Sequence, residues 1–503
     1  MYDGQEELDN LAWDKNDVDT KEALLDMRHK TVCRNVEELS EARFGKPARL
    51  ITPLIGGGFN MLYRIRLEDT SPDIMVRLPC PGLIQFPQEK TAQEAATARL
   101  IAKETRLPIP RQHFYDMESP VGPYVMMDHV ENQGSVSARL TDPSKDISEP
   151  HALDPEIADS TLDAIWGQIA QCYLQLHQLT FPRIGSLVEI SPGQYRVAGR
   201  PITHNMTDMV RLANIPRSVL PAEGTTYTTG NAWYTALAEM HIAQLMFQHN
   251  DAVVSEDDGR NKYVARQIFR RLAIQGRLST FGFSDDSWSA QSSNIPSSAL
   301  LPAPSGSQNF RLWGDDFRAG NILLTSSDKI AALIDWEYTY VGPTQFSLDP
   351  PWWLLIETME MWPSGMDDWC EVYQRRLQTW LAVMRKAEEA DTHDSSTLPA
   401  PLSTYMEQSW TTGRFFLSYA ARKSWAFDAV YWKYLDERFF GDRESDVPGQ
   451  EDLWRTRFNL LSDEEQAAME PFVRRKMAEA KERKLVDWDP VAARDSLSQL
   501  LFD

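Results

Sequence analysis

The chain lacks the features that mark several protein classes. Only four of its 503 residues are cysteine, namely Cys33, Cys80, Cys172 and Cys370, and no two form a CxxC pair. Such scatter supports neither a disulfide framework nor a cysteine zinc site, and it fits reduced thiols. No stretch approaches the ~20 apolar residues that a bilayer-spanning helix needs. The opening MYDGQEELDN has neither the basic and apolar regions of a signal peptide nor the Arg-rich face of a transit peptide. These absences lead us to expect a cytoplasmic protein. Positive charge is also short, with 51 Lys and Arg against 73 Asp and Glu, a net charge of −22. So acidic a chain repels phosphate backbones and anionic lipid, so neither nucleic acid nor membrane is an expected partner. HExxH, GxSxG and any repeat of fixed period are missing as well.

Hydrophobic residues make up 42%, enough for a soluble chain to bury a large core. Residues 1–44 read as a polar helical extension, with Asp19 as N-cap of the KEALLDM run and Glu22 three residues on. The texture then changes. ARLITPLIGGGFNMLYRIRL reads as two β-runs joined by a glycine turn, and DIMVRLP as a third strand. QEKTAQEAATARLIAKET is rich in helix formers and must stop before Pro108 and Pro110. GPYVMMDHV is a further strand, so 45–130 is a small β-rich unit.

From 131 to 440 the chain reads as mainly helical. Leu162, Ile165, Trp166, Ile169, Tyr173 and Leu176 fall on one helical face. Residues 283–308, dense in Ser and Pro, are expected to be a flexible insertion. FRLWG, NILL and IAALIDWE read as strands around polar turns. Residues after 350 are rich in tryptophan, most of it expected in the core. Residues 441–503 form a helical tail whose long helix opens on a Ser462/Glu465 capping box.

Four features with chemistry in them follow in one order. Gly56, Gly57, Gly58, Phe59 and Asn60 lie between two strands, where glycines let backbone N–H groups approach phosphate oxygens. Arg77 in the next strand and Glu94 in the next helix can form a cation–acid pair against phosphates. Asp316 and Asn321 in GDDFRAGN match D-x-x-x-x-N, in which the Asp orients a hydroxyl and the Asn holds a metal ion. Asp335 ends an apolar strand in ALIDWE, fourteen residues after Asn321, a separation that two antiparallel strands and a turn would close. Together with Asn321 it offers hard oxygen ligands for Mg²⁺. Each alone is ordinary turn or surface chemistry. The ordered set is the parts list of a kinase-like phosphoryl-transfer site.

At these residues the chain resembles the aminoglycoside phosphotransferase-like family of the kinase-like superfamily, and in particular a fungal group of uncertain substrate. LIGGGFNMLYRIRL is similar to the family's nucleotide-loop hairpin. LWGDDFRAGNILL and ALIDWEYTYVGP are similar to its catalytic segment and metal aspartate. DPPWWLLIE, MEQSWTTGRFF and YAARKSWAFDAVYW extend the resemblance over roughly residues 45–440 and point to the fungal group. It implies an α+β, bilobed protein-kinase-like fold, with a nucleotide-binding N-lobe at 45–130 and a helical C-lobe at 131–440. It implies ATP and Mg²⁺ as cofactors, Asp316 as catalytic base, and Asn321 and Asp335 as metal ligands. Arg77 would meet the α/β phosphates with Glu94 as its partner, under the backbone of Gly57, Gly58 and Asn60. Asp128 to Val130 would form the adenine hinge, and Arg318 would meet γ-phosphate charge.

Two departures stand out. Gly314 replaces a frequent His, removing a loop-bracing hydrogen bond rather than a reacting group. Arg77 stands where Lys is usual, and the two are not equivalent at tight phosphate sites. The leading expectation is a small-molecule kinase that phosphorylates a hydroxyl. The alternative is a pseudokinase or nucleotide-binding scaffold, against which the joint presence of Asp316, Asn321 and Asp335 argues. A protein kinase is disfavoured by the short span from Asp335 to Asp349, which leaves no room for an activation segment. The acceptor should lie between the catalytic loop and the Trp-rich helices, where aromatic faces and acids suit an amphipathic or cationic compound.

Overall fold

Strict alternation divides the first sheet into two faces. Met61, Tyr63, Ile65 and Leu67 of one strand and Ile74, Val76 and Leu78 of the next are buried, because side chains on a strand point to opposite faces in turn. The computed structural model describes residues 9–144, 151–304, 309–391, 398–443 and 452–502. Its first sheet comprises β1 (Ala48–Gly56), β2 (Asn60–Leu67), β3 (Ile74–Pro79), β4 (Gln112–Asp116) and β5 (Tyr124–Asp128). They are ordered β1-β2-β3-β5-β4 and antiparallel throughout. β4 carries no alternation, every residue being half-buried, and sequence reasoning missed it. The inward face packs with Met27 and Val36 from the N-terminal helices into its own core. The opposite face, with Leu62 paired to Arg77 and Met75 paired to Met127, is turned to a cleft.

The N-terminal segment differs from expectation. A single helix, α1 (Asn10–Asp26), starts at Asp9, not Asp19. The Asp9 carboxylate accepts the N–H groups of Leu11 and Ala12 and two contacts from the Asn250 amide at 2.9 and 3.1 Å. This buried anchorage outcompetes the cap signal at Asp19, which instead sits inside the helix and pairs with Lys15 one turn back. α2 (Lys30–Phe44) then lies on β1 and β2. The two helices strap both lobes, since α1 packs on the helix His204–Ala213 and Tyr63 of the sheet donates to the Met27 carbonyl at 2.5 Å.

The C-lobe follows its apolar periodicity. Asp159–His177 packs along Gly365–Ala390 through Trp166, Tyr173 and Trp380. Gly230–Phe247 pairs with Glu256–Ile274. Trp353, Trp369 and Trp380 are buried, as expected of core tryptophans. The tail helix Asp463–Glu482 opens on the Ser462/Glu465 capping box.

Within residues 283–304, expected as part of a flexible insertion, side chains make packed and capping contacts. Phe283 is buried beneath the Arg414 guanidinium at 3.8 Å. Asp286 accepts from the Gly282 N–H and from Ser289. Low periodicity here reflects loop geometry held by side-chain caps. Residues 305–308 lie outside the described residues. The chain is thus α+β and two-lobed, as expected, and the segment after β5 leads from the first lobe to the second. Among the described residues no helix is long and apolar enough to cross a membrane.

Candidate active site

The glycine turn closes tightly between β1 and β2. Gly57 donates its N–H to the Asn60 carbonyl at 2.8 Å, and a Cβ on Gly57 would lie 3.3 Å from that oxygen, whereas one on Gly58 would meet open space. A side chain at Gly57 would therefore crowd that carbonyl, and Gly58 leaves room beside the cleft. Neither adopts the left-handed backbone.

Arg77 lies under this turn at the centre of a buried ionic network. One guanidinium nitrogen donates to Glu94 at 2.5 Å, and the other to Asp335 and Glu337 at 2.6 Å each. Asn60 Nδ2 donates to Glu337 at 3.0 Å, and Lys90, one turn before Glu94, also pairs with Glu337. The planar fork of Arg explains its use here. It serves three carboxylates at once, which the single ammonium of Lys could not do in the same geometry. Burial opposes ionisation of Glu337, but Lys90 and Arg77 overcome it and hold this carboxyl below the usual range. Asp335 goes the other way. Burial raises its carboxyl, Arg77 opposes the rise, and Glu337, Glu94 and Asp316 add to it. A quarter of the Asp335 side chain remains open to the cleft.

The second half of the site is set by strand register. Ile322–Leu324 pairs with Ile330–Leu333, with Ile322 opposite Leu333, so Asn321 and Asp335 come to one end of the hairpin as expected. The Ile334 N–H donates to the Asn321 carbonyl at 3.0 Å. Asp335 then turns into the left-handed region at φ 63°, which Asp tolerates better than most residues. Asn321 Nδ2 donates to the Asp316 carboxylate at 2.9 Å and to its carbonyl at 2.8 Å. Arg318 Nε donates to the other carboxylate oxygen at 2.6 Å. At Gly314 a Cβ would fall 2.8 Å from that of Phe317. The Phe317 ring stacks on Trp336 at 5.5 Å, so packing braces the loop where a His hydrogen bond is lacking.

Two cavities meet at this loop. The first, about 340 Å³, lies between the lobes. Ile55, Leu62, Met75, Met127, Leu323 and Ile334 give it an apolar end, and Gly57, Gly58, Asn60, Arg77, Asp335 and Glu337 a polar one. Asp128, His129 and Val130 line its edge. Asp128 accepts a hydrogen bond from His113 at 2.6 Å when the ring carries the proton there. The second, about 420 Å³, lies in the C-lobe between Trp13, Trp352 and Trp425. Asp316, Arg318 and His204 line both. Every residue singled out from the sequence falls in or beside the first cavity except Glu94, which reaches it through Arg77, and Asn321, which reaches it through Asp316. Glu337, Lys90 and His204 were missed. Glu337 follows Asp335 by two residues and Lys90 precedes Glu94 by four, so a search for partners around each acid would have found them.

The donor set suits Mg²⁺. Asn321 commits its nitrogen to Asp316, which leaves its amide oxygen as a hard ligand at the same end of the hairpin as Asp335. Mg²⁺ takes one or two protein oxygens and completes its shell with water and phosphate. Among the described residues no group of three or more His, Cys, Asp or Glu could hold an ion alone. The crowding of Asp335 by three other carboxylates is a surplus of negative charge that a divalent cation would relieve.

A two-lobed cleft with a glycine hairpin, a buried cation–acid pair and a D-x-x-x-x-N loop defines a phosphotransferase-type protein. The model described as "Phosphotransferase enzyme family" (APH) matches residues 51–390, and the chain belongs to that family. Its fold is α+β and two-lobed. Similar solved structures include a macrolide 2'-phosphotransferase type I, 12% identical, covering 82% of this chain and 96% of that one at a TM-score of 0.38. A thermostable mutant of aminoglycoside phosphotransferase APH(4)-Ia, in ternary complex with AMP-PNP and hygromycin B, is 15% identical, with 79% and 98% covered and a TM-score of 0.36. The GDP complex of wild-type aminoglycoside 2'-phosphotransferase-IIIa is 13% identical, with 85% and 99% covered and a TM-score of 0.37. No curated protein matches the chain.

Proposed function

We propose that the protein is an ATP- and Mg²⁺-dependent phosphotransferase that moves the γ-phosphate to a hydroxyl of a small molecule. One observation carries this reading: Asp316 lines both cavities, so one carboxylate faces a nucleotide-sized site and a second small-molecule site. In this reading the apolar end of the first cavity takes adenine against Asp128 and Val130. The Gly57–Gly58 turn and Asn60 cover the phosphates, and Arg77, aligned by Glu94, offsets their charge. Asp316 accepts the hydrogen bond of the acceptor hydroxyl and aligns its oxygen in line with the γ-phosphate. Arg318 swings from Asp316 to the transferring group. Asn321 and Asp335 would hold Mg²⁺, which would supply charge neutralisation at the phosphates.

Gly314 and Arg77 do not require a scaffold. The close approach of Phe317 accounts for the glycine, and the three carboxylates around the guanidinium account for the arginine. The test is phosphoryl transfer measured as ADP release over a metabolite library. Asp316→Ala and Asp335→Ala should each lower the rate by roughly 10²–10⁴-fold with circular dichroism unchanged. Wild-type rates in both variants would remove the proposal.

A further inference from the structure

The walls of the second cavity are specific in charge and in shape. We infer that it takes an uncharged hydroxyl compound with an apolar or aromatic ring body, and that Trp13 of the N-terminal helix is a specificity-determining wall of that site. This rests on the phosphotransferase reading and names its acceptor class.

Charge is the first argument. The net charge of −22 invites a cationic acceptor, yet the acids that line the cavity are already engaged. Glu360 accepts from Tyr419 at 2.5 Å and from Lys423 at 3.1 Å. Asp208 faces His204 at 2.9 Å. Asp315 accepts from the Trp313 indole at 2.8 Å and lies 3.6 Å from Arg422. Asp316 is held by Arg318 at 2.6 Å. Three of the four acids thus face His204, Arg422 and Lys423, and the fourth, Asp316, is the one that meets the acceptor hydroxyl once Arg318 turns to the transferring group. A polycation would have to displace Lys423 or Arg422 from its carboxylate and leave a cation beside it without a partner. That exchange gains little, because one ion pair replaces another at a desolvation cost.

Shape is the second argument. A cavity of about 420 Å³ falls within the range of small-molecule sites. Trp13, Trp352 and Trp425 come from three separate parts of the chain and converge on it with Leu212 and Met361. Three indoles around one space offer broad apolar faces to a ring system. The cation over Trp352 is already Lys423, at 5.1 Å, so that face is not awaiting a charged ligand.

The third argument is that Trp13 is held in place from both ends of the chain. Asp9 is fully buried and binds Asn250, and the Asn10 N–H donates to Asp251 at 3.1 Å. Asn250 also donates to the Lys484 carbonyl at 2.8 Å, and Arg483 pairs with Asp251 at 2.6 Å. The first and last parts of the fold are tied at one corner, which fixes the first turn of α1 and with it Trp13.

Calorimetry on the full chain, with AMP-PNP and Mg²⁺ bound, tests this with 2-(2-naphthyl)ethanol as the neutral probe and kanamycin as the polycation. The naphthyl alcohol should bind at least about tenfold more tightly than kanamycin. Trp13→Ala should weaken the naphthyl probe by about tenfold and Trp13→Phe by less than about threefold, since a second aromatic ring keeps most of the face. Equal or tighter binding of kanamycin overturns the inference, as does an unchanged naphthyl affinity in Trp13→Ala. Binding of neither probe to the nucleotide-loaded protein also overturns it and leaves the phosphotransferase reading standing. Failure of AMP-PNP and Mg²⁺ to bind removes both.

Discussion

The two cavities that meet at Asp316 are built in opposite ways. The one between the lobes draws on short neighbouring segments, the β1–β3 hairpins, the end of β5 and the stretch 316–337, and its polar end is an interlocked set of buried charges. The one in the C-lobe draws on Asp315, Asp316 and Arg318 of the same loop, on residue 13 and on segments around 208, 358 and 423, and sets three indoles among paired charges. Reaction chemistry shared across substrates constrains the first. In the proposed reading the acceptor constrains the second, whose walls beyond that shared loop are assembled by tertiary folding from places with no common motif. The contrast predicts that damage on one side should leave the other side's binding intact.

The largest effect on stability is expected on the nucleotide side. Glu337 is shared by Arg77, Lys90 and Asn60, all buried. Glu337→Ala would leave Lys90 without its short-range partner in a dry setting, which should cost about 3–5 kcal/mol. Chemical denaturation measures this. Binding of AMP-PNP should weaken while affinity for an acceptor probe holds. Loss of less than about 1 kcal/mol, or an equal loss on both sides, would break the separation between the cavities.

The same contrast explains what could be read from the residues. Asp316 and Asn321 were legible because phosphoryl transfer needs an acid and an amide at that spacing. Asn321 and Asp335 were legible as a pair because a tight hairpin leaves few registers. Glu337 was not, since a Glu after Asp-Trp reads as solvated until Arg77 and Lys90 close over it. Trp13 was hidden twice. The cap signal at Asp19 implied a later helix start, and the partner that moves the start to Asp9 is Asn250, 241 residues away. The order of strands and helices followed from alternation and from proline and glycine. The exceptions were β4, an edge strand whose half-buried residues carry no pattern, and the strands Ser186–Ser191, Gln194–Gly199 and Thr339–Gly342, which a mainly helical reading of 131–440 did not contain.

A smaller effect is expected on the acceptor side. Asp9→Ala removes the N-cap of α1 and two bonds to the Asn250 amide, which should cost roughly 2 kcal/mol. Thermal unfolding reads that loss. Its sharper readout is kinetic. Because α1 carries Trp13, KM for the acceptor should rise while KM for ATP stays within about twofold. A rise in the ATP constant instead would mean that the N-terminal strap serves both lobes equally.

The smallest effect lies at the joint itself. His204 lines both cavities and packs between the Phe59 and Tyr338 rings, at 5.5 and 5.4 Å. Burial opposes its protonation, but Asp208, aided by Asp316 and Asp315, outweighs burial and raises the imidazole to about 9. A histidine whose folded value lies above the ordinary 6.5 stabilises the fold fully below pH 6.5. That contribution is lost as pH rises through about 9. Because the His204 side chain is 42% exposed, solvent screening limits the contribution to about 0.2–1 kcal/mol. Denaturation midpoints should therefore fall between pH 6.5 and about 9 in the wild type and fall less in Asp208→Asn, which removes the nearest negative charge. Parallel curves for the two proteins would show that Asp315 and Asp316 alone hold the proton. The joint would then belong to the catalytic loop rather than to the acceptor wall.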